Sequence, residues 1–170
     1  MEAIAVLAKS VVVMDHHKTA QEALEPLLRD GVVKGVFDMN RSGAVLAWEY
    51  AWGPGREPPV ALRYVEDRDL WRFNMDRSRE VSAWLFSWDW TPQSFIKAVN
   101  LIENVHTRES IFLQGEALIR DRTRLLAELE RTAMIGEICG VKVAICNAPY
   151  MFASELGNLI VRSPSWDVPV

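Results

Sequence analysis

Asp15, His16 and His17 are the residues whose types and spacing are best suited to chemistry in this chain. They directly follow a short apolar run, residues 10–14, which is typical of a buried strand. Imidazole and carboxylate groups are the ligands that manganese, zinc or iron ions accept, and a strand end holds them rigidly. The motif therefore makes a metal site one interpretation, although three residues alone favour the alternative that follows. The alternative is a surface histidine pair, with Asp15 capping the turn.

A second polar cluster, Asp67, Arg68 and Asp69, lies some fifty residues further along the chain. One of its carboxylates could join His16 on a metal ion, while the Arg68 guanidinium neutralises a phosphate. The alternative is a solvated turn whose charges pair with one another. The residues alone favour that alternative.

Arg41 and Ser42 come just before a predicted helix and form a third candidate site. Backbone N–H groups at a helix start, a hydroxyl and a guanidinium together can hold a phosphate. Ser42 is equally well suited to be an ordinary N-cap. The sequence leaves both interpretations open.

The elements that position these clusters follow an α/β pattern. Strands are predicted over residues 11–14 and 32–37, and helices over 19–28 and 43–52, the first of them opened by a capping box from Thr19 to Glu22. Two strand–turn–helix units in succession favour an α/β fold. In such sheets ligands bind at the carboxyl ends of the strands, which is where Asp15, His16 and His17 lie.

The remainder of the chain is mostly helical in pattern. Residues 60–65 are too short a run to assign. Helices are predicted from Arg77 onward, from Thr91 with Pro92 as the first helical residue, and over residues 108–134; a third strand is predicted over 140–146 and a last helix over 153–161.

Composition excludes several classes of protein. The chain has 170 residues, 49% hydrophobic and 25% charged, which is ordinary for a globular protein. Its 19 basic and 23 acidic residues give a net charge of -4, so binding to long nucleic acid duplexes through the phosphates is not expected. Two cysteines, no leader-like start and no apolar run near 18 residues predict a cytoplasmic protein without a membrane segment.

Taken in order, three segments resemble the DHH phosphoesterase superfamily, and most closely its branch of RecJ-like nucleases and small-oligonucleotide phosphodiesterases. They are residues 11–20 (VVVMDHHKTA), 41–44 (RSGA) and 64–71 (YVEDRDLW). Residues 147–149 (NAP) and 154–158 (SELGN) are similar to the opening of the family's second domain. The resemblance thus extends over most of the chain.

The resemblance implies a hydrolase in which two manganese ions activate a water molecule for attack on a phosphate ester. It implies that His16 and Asp67 are metal ligands, with Asp69 as the alternative carboxylate. It also implies catalytic roles for His17, in contact with the scissile phosphate, and for Asp15, which supports the histidines. Arg41, Ser42 and Arg68 are the corresponding candidates for substrate binding, and the substrate is a nucleotide or a short oligonucleotide.

The implied organisation is a partial parallel-sheet DHH-type domain over residues 1–90, a helical linker over 91–136 and the start of a C-terminal substrate-binding domain over 137–170. The family's first metal motifs have no counterpart in residues 1–14, whose only acid is Glu2, and its C-terminal glycine-rich motif is also absent. We therefore expect the chain to be an internal piece of the family that is inactive alone. Self-association, or pairing with the missing N-terminal segment, is expected because strand 11–14 then has an unpaired edge. The alternatives are a non-catalytic binding or scaffold remnant of the same fold, and a helical interaction module built on the tryptophan faces.

Overall fold

The computed structural model describes residues 2–163 and 166, and its fold is mixed α/β. The chain divides into two compact units, Met1–Gly115 and Glu116–Val170. The first unit contains α1 (Glu2–Leu7), β1 (Val12–Asp15), α2 (Lys18–Arg29), β2 (Lys34–Phe37), α3 (Gly43–Trp52), α4 (Val60–Asp69), α5 (Ser78–Phe86) and α6 (Pro92–Glu103). The long helix α7 (Val105–Glu130) crosses the boundary between the units. The second unit continues with β3 (Met134–Ile138), β4 (Val141–Ile145), a 3-10 turn (Tyr150–Phe152) and α8 (Ala153–Arg162).

The predicted parallel strand pair is confirmed. β1 and β2 are parallel, with Val12 opposite Lys34 and Asp15 opposite Phe37, and α2 connects them. Both strands therefore end at the same edge, next to residues 16–17 and 38–42. Among the described residues β1 pairs with no strand other than β2, so the self-association expected from its second edge stays a prediction. The four residues of β1 are only partly buried, whereas the sequence predicted a strand buried on both faces.

Two helix starts follow the sequence closely. The Ser42 hydroxyl accepts a hydrogen bond from the N–H of Val45, and the Thr91 hydroxyl accepts one from the N–H of Ser94. The predicted capping box at Thr19 is wrong, because α2 begins one residue earlier, with His17 as an N-cap whose side chain makes no capping bond. The His17 ring is bonded to Asp15 instead.

The core of the first unit lies among α4, α5, α6 and the first half of α7. Its buried residues are Ala61, Tyr64, Val81, Trp84, Ala98, Ile102 and Ile111. Segment 60–65, left unassigned from the sequence, is the first half of α4. Asp67, Arg68 and Asp69 therefore belong to a helix that is packed into the core, and the interpretation of this cluster as a solvated turn is wrong.

The second unit holds an antiparallel hairpin that the sequence showed only in part. The predicted strand over 140–146 is β4, but its partner β3 lies where the long helix was expected to end. Cys139 and Gly140, both with positive φ, form the two-residue turn between them. Only Met134 of β3 lies within the predicted helix, and the sequence assigns residues 135–138 to no element. In the described residues, no helix is long and apolar enough to cross a bilayer.

Gly115 is the point of closest approach between α7 and α5. A Cβ at this position would fall 2.1 Å from the carbonyl oxygen of Glu80, which is a contact with backbone and cannot be relieved by a side-chain rotation. We expect Gly115→Ala to lower the free energy of unfolding by about 3 kcal/mol because the helices must separate. Chemical denaturation measures this change. Gly157→Ala, where a Cβ meets nothing within 4 Å, is the control, and equal stability of both variants would contradict the close packing.

Candidate metal and phosphate site

Asp15 organises the turn that follows β1. Its Oδ1 accepts hydrogen bonds from the N–H groups of His16, at 2.7 Å, and His17, at 3.3 Å. The same oxygen lies 2.8 Å from Nδ1 of the His17 ring. This contact uses Nδ1 and leaves Nε2 of His17, whose side chain is 64% exposed, available for another partner. Asp15 is thus placed to orient His17, as the family resemblance implies.

His16 presents a nitrogen that the protein does not satisfy. Its Nδ1 is buried and has no hydrogen-bond partner in the described structure. It lies 3.9 Å from Oδ1 of Asp15 and 3.8 Å from Oδ2 of Asp69, both beyond hydrogen-bond distance. Buried polar atoms are nearly always paired, and this nitrogen lies within 4 Å of two carboxylates, so it can take a metal ion, a water molecule or a proton shared with the acids.

The donor set fits a divalent metal ion. One ligand atom from each of Asp15, His16 and His17 lies within 4.8 Å of the other two, and no other group of this kind occurs in residues 2–163 and 166. Mixed imidazole and carboxylate donors suit manganese, zinc or iron. The prediction that these three consecutive residues form a cluster agrees with this geometry. Metal binding by this cluster and the identity of the metal both stay predictions.

Asp67 and Asp69 have different surroundings although both end the same helix. Asp67 is buried, and its two oxygens accept hydrogen bonds from the N–H groups of Asn74, at 2.9 Å, and Met75, at 3.1 Å. Asp69 is more exposed and faces His16. The alternative carboxylate, Asp69, is therefore the one beside the histidines, whereas Asp67 holds the loop that follows α4.

The carboxyl groups of Asp67 and Asp15 both have lowered pKa values and are therefore ionised at neutral pH. Burial raises the pKa of Asp67, but the neighbouring Ser78 hydroxyl, the N–H groups of Asn74 and Met75 and the charge of Arg72 outweigh this effect, and the net pKa is lowered. The balance at Asp15 is the same in kind: burial raises its pKa, and the hydrogen bonds from the His17 ring and from the two backbone N–H groups lower it by more. Asp15 is thus a carboxylate, the form that can bind a cation.

The candidate phosphate site at Arg41 and Ser42 is filled by the protein's own acids. The N–H of Ser42 donates to Glu66 at 2.9 Å, its hydroxyl caps α3, and its side chain is fully buried. The Arg41 guanidinium is paired with Glu49. In this structure Ser42 therefore acts as an N-cap. Its partner Glu66 was not identified from the sequence, and the adjacent acids of residues 66–69 were the only signal for it.

Arg68 lies beside an aromatic ring of the next helix. Its guanidinium carbon is 4.0 Å from the centre of the Phe86 ring. Together with Asp69 it lines a cavity between α4, α5 and the start of α6. The structure thus places Arg68 next to the carboxylate that faces His16, which is compatible with its predicted role in substrate binding.

The chain is similar to an uncharacterized protein of Acanthamoeba polyphaga mimivirus, with 26% identity over 160 residues. The similar stretch takes in 91% of this chain and 36% of the viral protein, so the chain spans about a third of that relative's length. No model of a protein family and no solved structure matches the chain. The resemblance to DHH phosphoesterases therefore rests on the sequence motifs alone.

Proposed function

We propose that the chain carries a metal and phosphate site of a DHH-type phosphoesterase that acts on a nucleotide or a short oligonucleotide with manganese as cofactor. The observation that supports this most directly is the buried, unpaired Nδ1 of His16 between the carboxylates of Asp15 and Asp69. These two acids come from different elements, β1 and α4. Contacts within the turn after β1 do not account for the approach of Asp69, so the arrangement is more than a histidine pair in a turn that Asp15 caps.

In the proposed site His16, Asp69 and Asp15 hold the metal. Manganese, when bound, supplies a nucleophilic hydroxide and neutralises charge on the phosphoryl oxygens. His17 contacts the phosphate through Nε2, since Asp15 engages its Nδ1. Arg68, which lines the cavity together with Asp69, contributes a positive charge for substrate binding.

The proposed role of Asp67 changes with this arrangement. The resemblance implied Asp67 as the metal carboxylate, but both of its oxygens accept hydrogen bonds from backbone N–H groups, whereas the hydrogen bonds described for Asp15 all involve Oδ1. We therefore assign the metal to Asp69 and the support of the loop after α4 to Asp67.

Manganese binding by residues 1–170 provides the first test. These residues offer one imidazole and two carboxylates, fewer donors than a site for two ions needs, so we expect a single ion bound with a Kd above about 1 μM. Titration calorimetry measures both the stoichiometry and the affinity. Submicromolar binding of two ions would show that the ligands are misplaced.

Hydrolysis provides the test of the reaction itself. We expect the longest protein that the gene encodes to release mononucleotides from short oligonucleotides in the presence of manganese, and to stop when the metal is chelated. Metal-dependent binding without turnover in that protein would favour the alternative of a non-catalytic binding or scaffold protein.

A further inference from the structure

An aromatic cavity of about 290 Å³ opens beside the candidate metal site in the first unit. Its apolar walls include Val65 of α4, Leu85 and Phe86 of α5, Trp90 in the following loop and Phe95 of α6. This volume is at the small end of the range for ligand pockets, which suits one planar group better than an extended molecule.

Three of the wall residues form a continuous row of rings. The ring centres of Phe86 and Trp90 are 5.2 Å apart, and those of Trp90 and Phe95 are 5.6 Å apart. Trp90 is nevertheless 67% exposed, and Phe86 and Phe95 are also exposed. Aromatic side chains that serve the core are buried, as Trp84 is. An exposed row at the mouth of a cavity instead offers faces and edges to a further ring.

The polar part of the cavity connects it to the metal site. Asp69 lines the cavity, and its Oδ2 is also 3.8 Å from Nδ1 of His16. Arg68 lines it too, with its guanidinium against the Phe86 ring. Asp69 is therefore shared by the cavity and the surroundings of His16, and this is the basis for joining the two in one ligand.

We propose that this cavity binds the base of the nucleotide whose phosphate lies at the Asp15–His16–His17 cluster. The proposal deepens the proposed phosphoesterase function and rests on it for the position of the phosphate. The occupant is a nucleobase because the walls are aromatic and apolar, and because Asp69, one of two charged residues in the described lining, faces His16, while the other, Arg68, lies against the Phe86 ring. Purines bind more tightly than pyrimidines because they offer more area for stacking, and little discrimination between adenine and guanine follows from such walls.

The test compares two probes that share a phosphorylated sugar and differ in the base. Adenosine 5′-monophosphate and ribose 5-phosphate are titrated calorimetrically into the chain at the same manganese concentration, so that the metal contributes equally to the binding of both. We expect the nucleotide to bind at least about tenfold more tightly than the sugar phosphate, because stacking acts only on the base. Trp90→Ala removes this difference, whereas Trp90→Phe retains most of it.

Trp52→Ala is the matched control, since Trp52 is also exposed but lies on α3 and does not line the cavity. It is expected to bind both probes as the unchanged chain does. Phe95→Ala repeats the test from a different element, and thermal melts of all variants establish that they are folded. Equal binding of the two probes, no binding of the nucleotide, or unchanged nucleotide binding by folded Trp90→Ala overturns the proposal.

Two further results separate this proposal from others. A second copy of the chain is the rival occupant of the cavity, and sedimentation velocity on the same variants detects it. If Trp90→Ala changes the oligomeric state and leaves nucleotide binding unchanged, the base site is overturned. Manganese-dependent hydrolysis is measured independently. Base binding through Trp90 without any hydrolysis would refute the proposed function and leave the base site intact. Manganese-dependent hydrolysis without base binding through Trp90 would refute the base site and leave the proposed function intact.

Discussion

His16→Ala is expected to lower manganese-dependent hydrolysis by more than about a hundredfold. The Nδ1 of His16 is buried and makes no hydrogen bond in the described structure, although it lies within 4 Å of the Asp15 and Asp69 carboxylates. Its loss removes a metal ligand and costs the fold no hydrogen bond. The measurement is kcat/KM on a short oligonucleotide across a series of manganese concentrations, in the longest protein that the gene encodes.

The manganese series distinguishes a lost ligand from a distorted site. If His16 binds the metal, activity of the variant recovers in part at high manganese, whereas a distorted site gives a low rate at every concentration. His106→Ala is the matched control, because His106 is an exposed histidine on α7 and its side chain has no proposed role. Full activity of His16→Ala with unchanged manganese dependence would reject the site.

The sequence predicted those features that depend only on contacts between residues close together in the chain. The apolar run of β1 followed by Asp15 predicted a strand end with a polar cluster, and that cluster depends on contacts between residues no more than two apart. The helix starts at Ser42 and Thr91 are of the same kind, because an N-cap bonds to an N–H three residues ahead. These features need no knowledge of the tertiary structure.

The choice between Asp67 and Asp69 could not be made in that way. Residues two apart on a helix are separated by about 200° around its axis, so the two acids point to nearly opposite sides. Which side faces β1 depends on how α4 packs against α5 and α6 in the core. The motif selected the cluster of residues 67–69 without predicting the helix that carries it, and the packing of α4 is the reason that Asp69 is proposed in place of Asp67.

The cavity beside Asp69 is also a product of packing. Its walls come from α4, α5, α6 and the loop at Trp90, which the sequence separates by up to about thirty residues. The sequence predicted a helix from Arg77 onward without a defined end, and in the structure α5 ends at Phe86. The end of the helix turns Trp90 into a loop residue at the mouth of the cavity.

Asp67→Asn is expected to lower the free energy of unfolding by about 3 kcal/mol. The asparagine keeps the shape of the side chain but carries one acceptor oxygen, so its NH₂ group must face one of the two backbone donors, Asn74 or Met75. A buried N–H without an acceptor costs about 1–3 kcal/mol, and a charged acceptor is lost as well. Chemical denaturation at neutral pH measures the change.

The same variant has a defined pH dependence. Because the pKa of Asp67 in the folded chain is below its ordinary value of 3.8, the wild-type advantage is fully present above that value and is lost as pH falls through the lowered folded-state pKa. The stability difference between wild type and Asp67→Asn is therefore constant near neutral pH and shrinks between about pH 4 and the folded-state pKa. Asp69→Asn, in which the more exposed acid of the same helix is changed, is expected to alter stability by less than about 0.5 kcal/mol. If Asp69→Asn destabilises the chain as much as Asp67→Asn does, the division of roles between the two acids is wrong.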